Sequence, residues 1–312
     1  MKRSIGFLTS LCFCLSQLSI SQTLPHFSHV SAYARVERIE SSSMMLYSYD
    51  VTNDIGNTGT IRRFLIDISR RTSSFSPDTI GLPFFDSFRE LSFRLMYPFV
   101  VSKIIPVGFP ILPAHWDASI TVSLMARFSA DTLRPEPGQG VGLQMVSKWP
   151  PTIRKFIVVP VFDVGAYFPS MEDSNAVPIA QMDSIREAIN YNGWTLGPAS
   201  IDSPFVAINF LDTIKSYVNE SLTLNWITTQ ATANKYTALI DSAKTNLAAT
   251  PTRRGTAKAK LDSVIVNVYP DSAAGLLTSE AYALLRFNTE YVLTKLREED
   301  SELQEEGETK PR

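Results

Sequence analysis

The stretch MLYSYDVTNDIGNTGTIRRFLIDI, residues 45–68, contains two alternating runs with a turn between them. Apolar residues recur at every second position over residues 45–51 and again over residues 64–68, as side chains do along one face of a β-strand. Residues 53–59 are rich in Asn, Asp and Gly, which tolerate positive φ or bond nearby backbone. The stretch therefore predicts two strands joined by a hairpin-type loop. An alternative interpretation makes the loop a small cation site with these ligands: Asp50, Asn53, Asp54 and Asn57.

Strand-like runs also flank this stretch on both sides. Residues 31–39 alternate before it, and residues 120–128, 141–146 and 153–164 follow it, separated by Pro- and Gly-containing loops. Pro160 lies inside the last run and favours an edge or a bulge there. Six or seven short strands with no helical periodicity between them predict an antiparallel β-sandwich over residues 22–170.

The hairpin also resembles a known class of protein. The runs YSYDVTN at residues 47–53 and IRRFLI at residues 61–66 are similar to the opening hairpin of exported bacterial β-sandwich proteins with Ig-like topology. The run His115-Trp116-Asp117 lies about where such proteins carry a Trp-containing strand. The resemblance implies an Ig-like sandwich in the first half of the chain.

The apolar spacing changes to a helical period after Ser203. Ser203 is a candidate N-cap, and Pro204 suits the first helical position. Four amphipathic helices with short connections predict an antiparallel four-helix bundle over residues 204–297. Their apolar stripes are Ala207, Leu211, Ile214, Val218; Ala233, Tyr236, Ile240, Ala243, Leu247; Ala257, Leu261, Val264, Val268; and Ala281, Leu285, Val292, Leu296, with Asn288 as a satisfied core or boundary amide.

This helical half resembles the small C-terminal modules of exported bacterial proteins called FIMAH domains. The matching positions are Trp226-Ile227, Leu239-Ile240, Leu261-Asp262, Leu277 to Ala281 and Tyr291 to Leu293. Such modules have no assigned catalytic residues, so the resemblance implies a fold and no active site. Residues 171–203, between the two halves, are predicted to be a connector, with completion of the sandwich edge as the alternative. The predicted fold is therefore multidomain α+β.

The first 21 residues read as an export signal. Lys2 and Arg3 precede an apolar run, and Ser19 and Ser21 place small residues where signal peptidase reads them. Both cysteines of the chain, Cys12 and Cys14, lie in this segment. The mature chain is then expected to lack thiol chemistry, and no later stretch is long and apolar enough for a transmembrane helix. The predicted location is secreted, periplasmic or cell-surface.

The charge of the chain limits the classes of partner that we expect it to bind. The formal net charge is −2, and no basic stripe is visible, so nucleic acid is not an expected partner. Residues 298–308 carry seven carboxylates and no base. Because like charges repel, residues 298–312 are predicted to form an acidic disordered tail.

Few residues suit a reactive or ligand-binding site. Of three histidines, His26 and His29 form a two-ligand metal site only if their segment coils, and no cofactor is predicted. Trp149, Trp116 and Tyr167 are candidate aromatic platforms for sugars, with burial in the core as the alternative.

These observations favour an exported, non-enzymatic interaction or scaffolding protein. Its expected partner is a protein or a cell-surface polysaccharide. A carbohydrate-binding β-sandwich is the second hypothesis. A secreted hydrolase is the third, because a pair of carboxylates for hydrolysis is a property of the fold that sequence does not reveal.

Overall fold

Eight β-strands and then four long helices make up most of the chain that the computed structural model describes, so the fold is mixed α+β with antiparallel sheets. The described residues are 24–40, 42–69, 107–121, 125–162, 184–185, 187–201 and 203–308, with side chains up to residue 302. The strands are β1 Val30–Arg38, β2 Met45–Asn53, β3 Ile61–Asp67, β4 Trp116–Ile120, β5 Met125–Ala130, β6 Gly140–Ser147, β7 Pro151–Pro160 and β8 Tyr191–Pro198. The helices are α1 Ala207–Thr223, α2 Gln230–Ala248, α3 Arg254–Ala273 and α4 Ser279–Glu308.

The strands form two antiparallel sheets. A three-stranded sheet has the order β1-β2-β6, and a five-stranded sheet has the order β4-β5-β3-β7-β8. The predicted strands at residues 45–51 and 60–68 are present, but their pairing as a hairpin is wrong, because β2 and β3 belong to different sheets. The reason lies in their aromatic faces: the ring centroids of Tyr49 and Phe64 lie 5.9 Å apart in the core that the two sheets share.

The loop between β2 and β3 carries the chain from one sheet to the other. The amide of Asn53 donates to the carbonyls of Gly59 and Pro135, and the side-chain oxygen of Asn57 accepts from the backbone amides of Ser28 and His29. These side chains therefore fix the backbone of the loop, as the turn interpretation expects.

The eighth strand confirms the alternative for part of residues 171–203, completion of the sandwich edge, and corrects the connector there. Residues 191–198 pair with residues 151–158 of β7, so they complete the five-stranded sheet. The Asn192-Gly193 and Gly197-Pro198 pairs predict breaks, but the two glycines lie inside the strand. A Cβ on Gly193 would clash with the ring of Phe156, the residue opposite it on β7. Gly193 thus makes room for the Phe156 ring.

The helices bury the stripes that the sequence predicts. The apolar residues of those stripes, apart from the half-buried Ala207, lie in one hydrophobic cluster. Thr229 caps α2, with its hydroxyl accepting from the amide of Thr232 at 3.1 Å. The predicted start of the first helix is wrong: α1 begins at Ala207 rather than at residue 204, and Phe205 instead packs its ring against Tyr291 of α4.

The predicted disordered tail at residues 298–312 is also corrected, since α4 continues to Glu308. Arg254 and Lys258 of α3 pair with Glu299 and Asp300 of α4. These opposite charges offset the repulsion on which the tail prediction relied, and Glu, Leu and Gln are strong helix formers. Residues 309–312 lie outside the described part of the chain.

The fourth helix joins the helices to the sheets. Ala283, Leu284 and Phe287 of α4 are buried in the core that the two sheets share, while Leu285 and Val292 face the cluster of the helices. Asn288 donates its side-chain amide to the carbonyl of Pro151 at 2.8 Å. Among the described residues, none of the helices is apolar enough over sufficient length to cross a membrane.

Candidate functional site

A groove of about 1030 Å³ lies between the end of β1 and the helices α3 and α4. We call it the β1 groove. Residues 35–38 of β1 and the following Glu40 form one wall, and side chains of α3 and α4 form the helical walls. Its volume and its mixture of apolar and charged lining residues make it a candidate for a ligand site.

The strand wall follows from the alternation of β1. Ala32, Ala34 and Val36 point into the core, while Arg35 and Glu37 stand on the exposed face. Among the described strands, β1 pairs only with β2, so its other side is a sheet edge. Unpaired edge groups invite pairing with another chain unless something covers them.

Part of this edge is covered by the rest of the molecule. The amide of Ala34 donates to Oε1 of Glu280 at 2.8 Å, and the carbonyl of Ala32 accepts from Oγ1 of Thr195 at 3.1 Å. Glu280 is a buried carboxylate in the first turn of α4, where the helix dipole favours a negative charge. The cover therefore comes from β8 and from the start of α4.

Paired charges cross the β1 groove. Glu290 of α4 lies 3.2 Å from the guanidinium of Arg38 on β1 and 3.0 Å from that of Arg286 on its own helix. Burial acts to lower the pKa of Arg286, but its bonds to Tyr282 and Glu290 outweigh burial and raise the pKa. Two guanidinium groups thus surround one carboxylate, and the resulting ion pairs connect β1 to α4 across the groove.

Other charges in the β1 groove have no ion-pair partner among the side chains that the structure describes. Three are acidic, Glu37, Glu40 and Asp262, and one is basic, Arg297. All four are exposed. The groove thus offers an excess of free carboxylates to whatever enters it.

The helical wall also presents apolar surface. Tyr269 of α3 lines the groove with 71% of its surface exposed, and Val266, three residues before it and outside the groove lining, is 72% exposed. Ile265, Phe287 and Leu293 line the groove deeper down. Exposed charges around apolar side chains are the usual composition of a recognition surface.

The aromatic residues that the sequence nominated are not in the β1 groove. Trp116 is 5% exposed and belongs to the core between the sheets, so it does not offer a ring to a sugar. Trp149 is half-buried; Nζ of Lys148 lies 4.9 Å from its ring centroid, and its carbonyl accepts from the hydroxyl of Tyr47. Tyr167 lies outside the described residues.

The two histidines nominated for a metal lie in the extended segment before β1. Both are exposed, and the ring of His29 meets the edge of Tyr191 at 6.2 Å. The described part of the chain holds no group of three or more His, Cys, Asp or Glu residues that could bind a metal ion. The side-chain amide of Asn57 is already engaged by backbone, which also weakens the loop cation hypothesis.

One buried cation, Arg154 of β7, lies away from the groove. It is 2% exposed and donates from Nε and Nη2 to the carbonyl of Pro198 at 3.1 and 2.8 Å. Burial lowers its pKa. Arg154 therefore ties the ends of β7 and β8 together and has no access to a ligand.

Sequence reasoning missed the β1 groove because its walls come from segments more than 200 residues apart. A signal was present in α3: Val266 and Tyr269 are apolar, three residues apart, and off the buried stripe. Apolar residues at that spacing share one helix face.

A comparison with protein-family models, with curated proteins and with solved structures found no match to the chain.

Proposed function

We propose that the chain is an exported, non-enzymatic interaction module that holds a segment of a partner protein in the β1 groove. In the finer description that we favour, an Ig-like sandwich carries an antiparallel four-helix module of the FIMAH type. The shared core of two antiparallel sheets and the sequential packing of α1 to α4 support this description. The run of basic and then apolar residues at positions 2–18 supports export to a secreted, periplasmic or cell-surface location.

The observation that carries the proposal is the composition of the β1 groove. Free carboxylates, an exposed tyrosine and an exposed strand end meet in one concavity. The ionisable groups at its centre, Arg38, Arg286 and Glu290, are bound to one another. Groups that neutralise each other favour recognition over proton transfer, because a general acid or base must be free to meet its substrate.

The proposal is tested with a charge-reversed groove. Glu37→Lys with Asp262→Lys changes two free carboxylates of the groove, and Asp131→Lys with Glu187→Lys changes two exposed carboxylates elsewhere by the same charge. Each full-length protein is expressed in cells that lack the wild type. The cells are fractionated, and captured proteins are cross-linked and identified.

We expect a partner protein that co-purifies from the envelope or the medium with the wild type and with the Asp131/Glu187 variant, and that is lost with the Glu37/Asp262 variant. Equal recovery by both variants would remove the groove as the binding site. Retention of the wild type on a cell-surface polysaccharide, with no variant-sensitive protein partner, would overturn the proposal in favour of carbohydrate binding.

A further inference from the structure

We infer that the β1 groove binds its partner as an added β-strand, and that the partner segment alternates apolar and basic residues. The inference rests on the proposed function and names the chemistry of the ligand at the same site. Its three parts are the free backbone of β1, the free carboxylates beside it and the apolar floor below.

Among the described residues, the outward backbone groups of β1 have no hydrogen-bond partner at the end of the strand that lines the groove. In an antiparallel pair, residues two apart direct their N–H and C=O groups to the same side. The amide of Ala34 faces away from β2, because Glu280 binds it. The backbone groups of Val36 and Arg38 therefore face the same way, into the groove that both residues line.

The cover over the β1 edge stops before these groups. The hydroxyl of Thr195 donates to the carbonyl of Ala32, and the carboxylate of Glu280 accepts from the amide of Ala34. Among the described residues no hydrogen bond reaches the outward backbone groups of Val36 or Arg38. An extended peptide beside β1 would satisfy them through main-chain bonds, as in other cases of strand addition to a sheet edge.

The free carboxylates of the groove determine which residues suit the outward face of the added strand. Glu37 stands on the exposed face of β1, with Glu40 just beyond the strand and Asp262 on the helical wall. Opposite charges on directly opposed strand residues stabilise a pair, and like charges destabilise it. Arg35 on the same face is already paired with Asp50, and the three carboxylates outnumber Arg297, the unpaired cation among the described lining residues. The outward residues of the segment should therefore be Lys or Arg.

The apolar side chains of the groove determine which residues suit the inward face of the added strand. The side chain of Val36 points inward, and Phe287 and Leu293 of α4 lie behind it in the groove wall. Because side chains alternate along a strand, every second residue of the added segment points towards these groups. These three side chains are already buried, at 2–6% exposed, and the apolar surface of the groove that still meets water is the ring of Tyr269, which is 71% exposed. Apolar residues of the segment that cover this ring remove that surface from water. The volume of about 1030 Å³ is at the upper end for ligand sites, which leaves room for a short peptide.

The probe is a fluorescent, capped (Lys-Val)3 peptide, titrated into the full-length protein and followed by anisotropy. We expect saturable binding, with a capped (Glu-Val)3 peptide at least about tenfold weaker, since its charges meet Glu37, Glu40 and Asp262. Two N-methylated forms of the peptide separate strand pairing from simple charge attraction. One is methylated at the valine amides and the other at the lysine amides, so only one form blocks the amides that face β1.

The matched protein variants are Arg38→Ala and Arg38→Pro. Both remove the ion pair with Glu290. Only the proline removes the outward amide, and an edge position at a strand end tolerates it. We expect the proline variant to bind the peptide about fivefold more weakly than the alanine variant, the effect of one main-chain hydrogen bond.

Loss of affinity in only one N-methylated form, with the expected difference between the two Arg38 variants, supports strand addition. Equal binding by both methylated forms and by both Arg38 variants would refute strand addition, while leaving the groove as a binding site. Failure of the proposed function is a separate result, because it shows as equal partner recovery by the Glu37/Asp262 and Asp131/Glu187 variants. If the proline variant unfolds in a thermal scan, the two methylated peptides decide the question on the wild type.

Discussion

At the residue scale, Gly193 shows how one missing side chain sets the packing of a strand. Its neighbour across the pair, Phe156, is 2% exposed and packs against Phe64, with ring centroids 5.4 Å apart. We predict that Gly193→Ala destabilises the fold by about 1–3 kcal/mol, because the new methyl group displaces this ring. Urea unfolding measures the loss.

The matched control is Gly142→Ala in β6. A Cβ there meets nothing within 4 Å, and the residue is exposed. We expect it to be neutral or slightly stabilising, because alanine lowers the entropy of the unfolded chain. A loss as large as that of Gly193→Ala would show that backbone freedom, and not the Phe156 ring, governs both sites.

A second residue, Asp271 at the end of α3, makes stability depend on pH. It accepts hydrogen bonds from Lys235 at 2.7 Å and from Tyr236 at 2.6 Å. Burial acts to raise its pKa, but these two bonds outweigh burial and hold the pKa below the ordinary value of 3.8. A carboxyl group whose pKa is lowered by folding stabilises the fold above its unfolded pKa, and the benefit is lost as pH falls.

We therefore predict that Asp271→Asn lowers the free energy of unfolding by about 1–2 kcal/mol near neutral pH. The difference in free energy of unfolding between this variant and the wild type should become smaller as pH falls below about 3.8. Denaturant titrations at several pH values measure it. Asp262→Asn removes an exposed carboxylate and controls for the change in net charge. A gap that stays constant with pH would assign the effect of Asp271 to shape alone.

At the scale of elements, Glu280 couples the start of α4 to the edge of β1. We predict that Glu280→Ala destabilises the fold by about 1–3 kcal/mol, because the amide of Ala34 is left buried without an acceptor. Glu280→Gln keeps an acceptor oxygen and should cost less. Hydrogen exchange provides the local measurement: the Ala34 amide should exchange faster in the alanine variant than in the glutamine variant. Equal exchange in all three proteins would mean that the bond does not protect this edge.

The same scale shows what the sequence could and could not predict. Alternation located β1, β2 and β3, and the 3.6-residue stripes located all four helices, because both patterns depend only on neighbours along the chain. Pairing depends on distant residues: Tyr49 faces Phe64 across the core, so β2 and β3 separate into two sheets. Likewise β8 was predicted only as the alternative to a connector, because its glycines indicate breaks until Phe156 is placed beside them.

The β1 groove was beyond prediction for a related reason. Arg38 and Glu290 are ordinary surface charges in the sequence, and only the packing of α4 along β1 brings them to 3.2 Å. Trp116 was nominated as a sugar-binding residue because of its large aromatic ring. A large apolar ring favours burial equally, and Trp116 lies in the core.

At the scale of the whole molecule, α4 is part of two cores at once. Ala283, Leu284 and Phe287 pack with the sheets, and Leu285 and Val292 pack with the other helices. Loss of α4 structure would expose both cores. We therefore expect the sheets and the helices to unfold together in a single calorimetric transition.

Phe287→Ala tests this coupling. It should lower stability by about 3–5 kcal/mol, as a buried Phe to Ala change does, and shift the whole transition without splitting it. Val266→Ala, at a side chain that is 72% exposed, should change stability by no more than about 0.5 kcal/mol. Two resolved transitions in the wild type would show that the two parts fold independently.

The bond between Ala34 and Glu280 also has a consequence for the order in which the protein is made. The two residues are 246 positions apart. A ribosome adds about 5–20 residues per second, so the acceptor for this edge follows its donor by roughly 12–50 s. Thr195, whose hydroxyl donates to the carbonyl of Ala32, comes 163 positions later in the chain than Ala32. During this interval the edge of β1 lacks both of these bonds, so we expect it to be open to pairing with another extended chain.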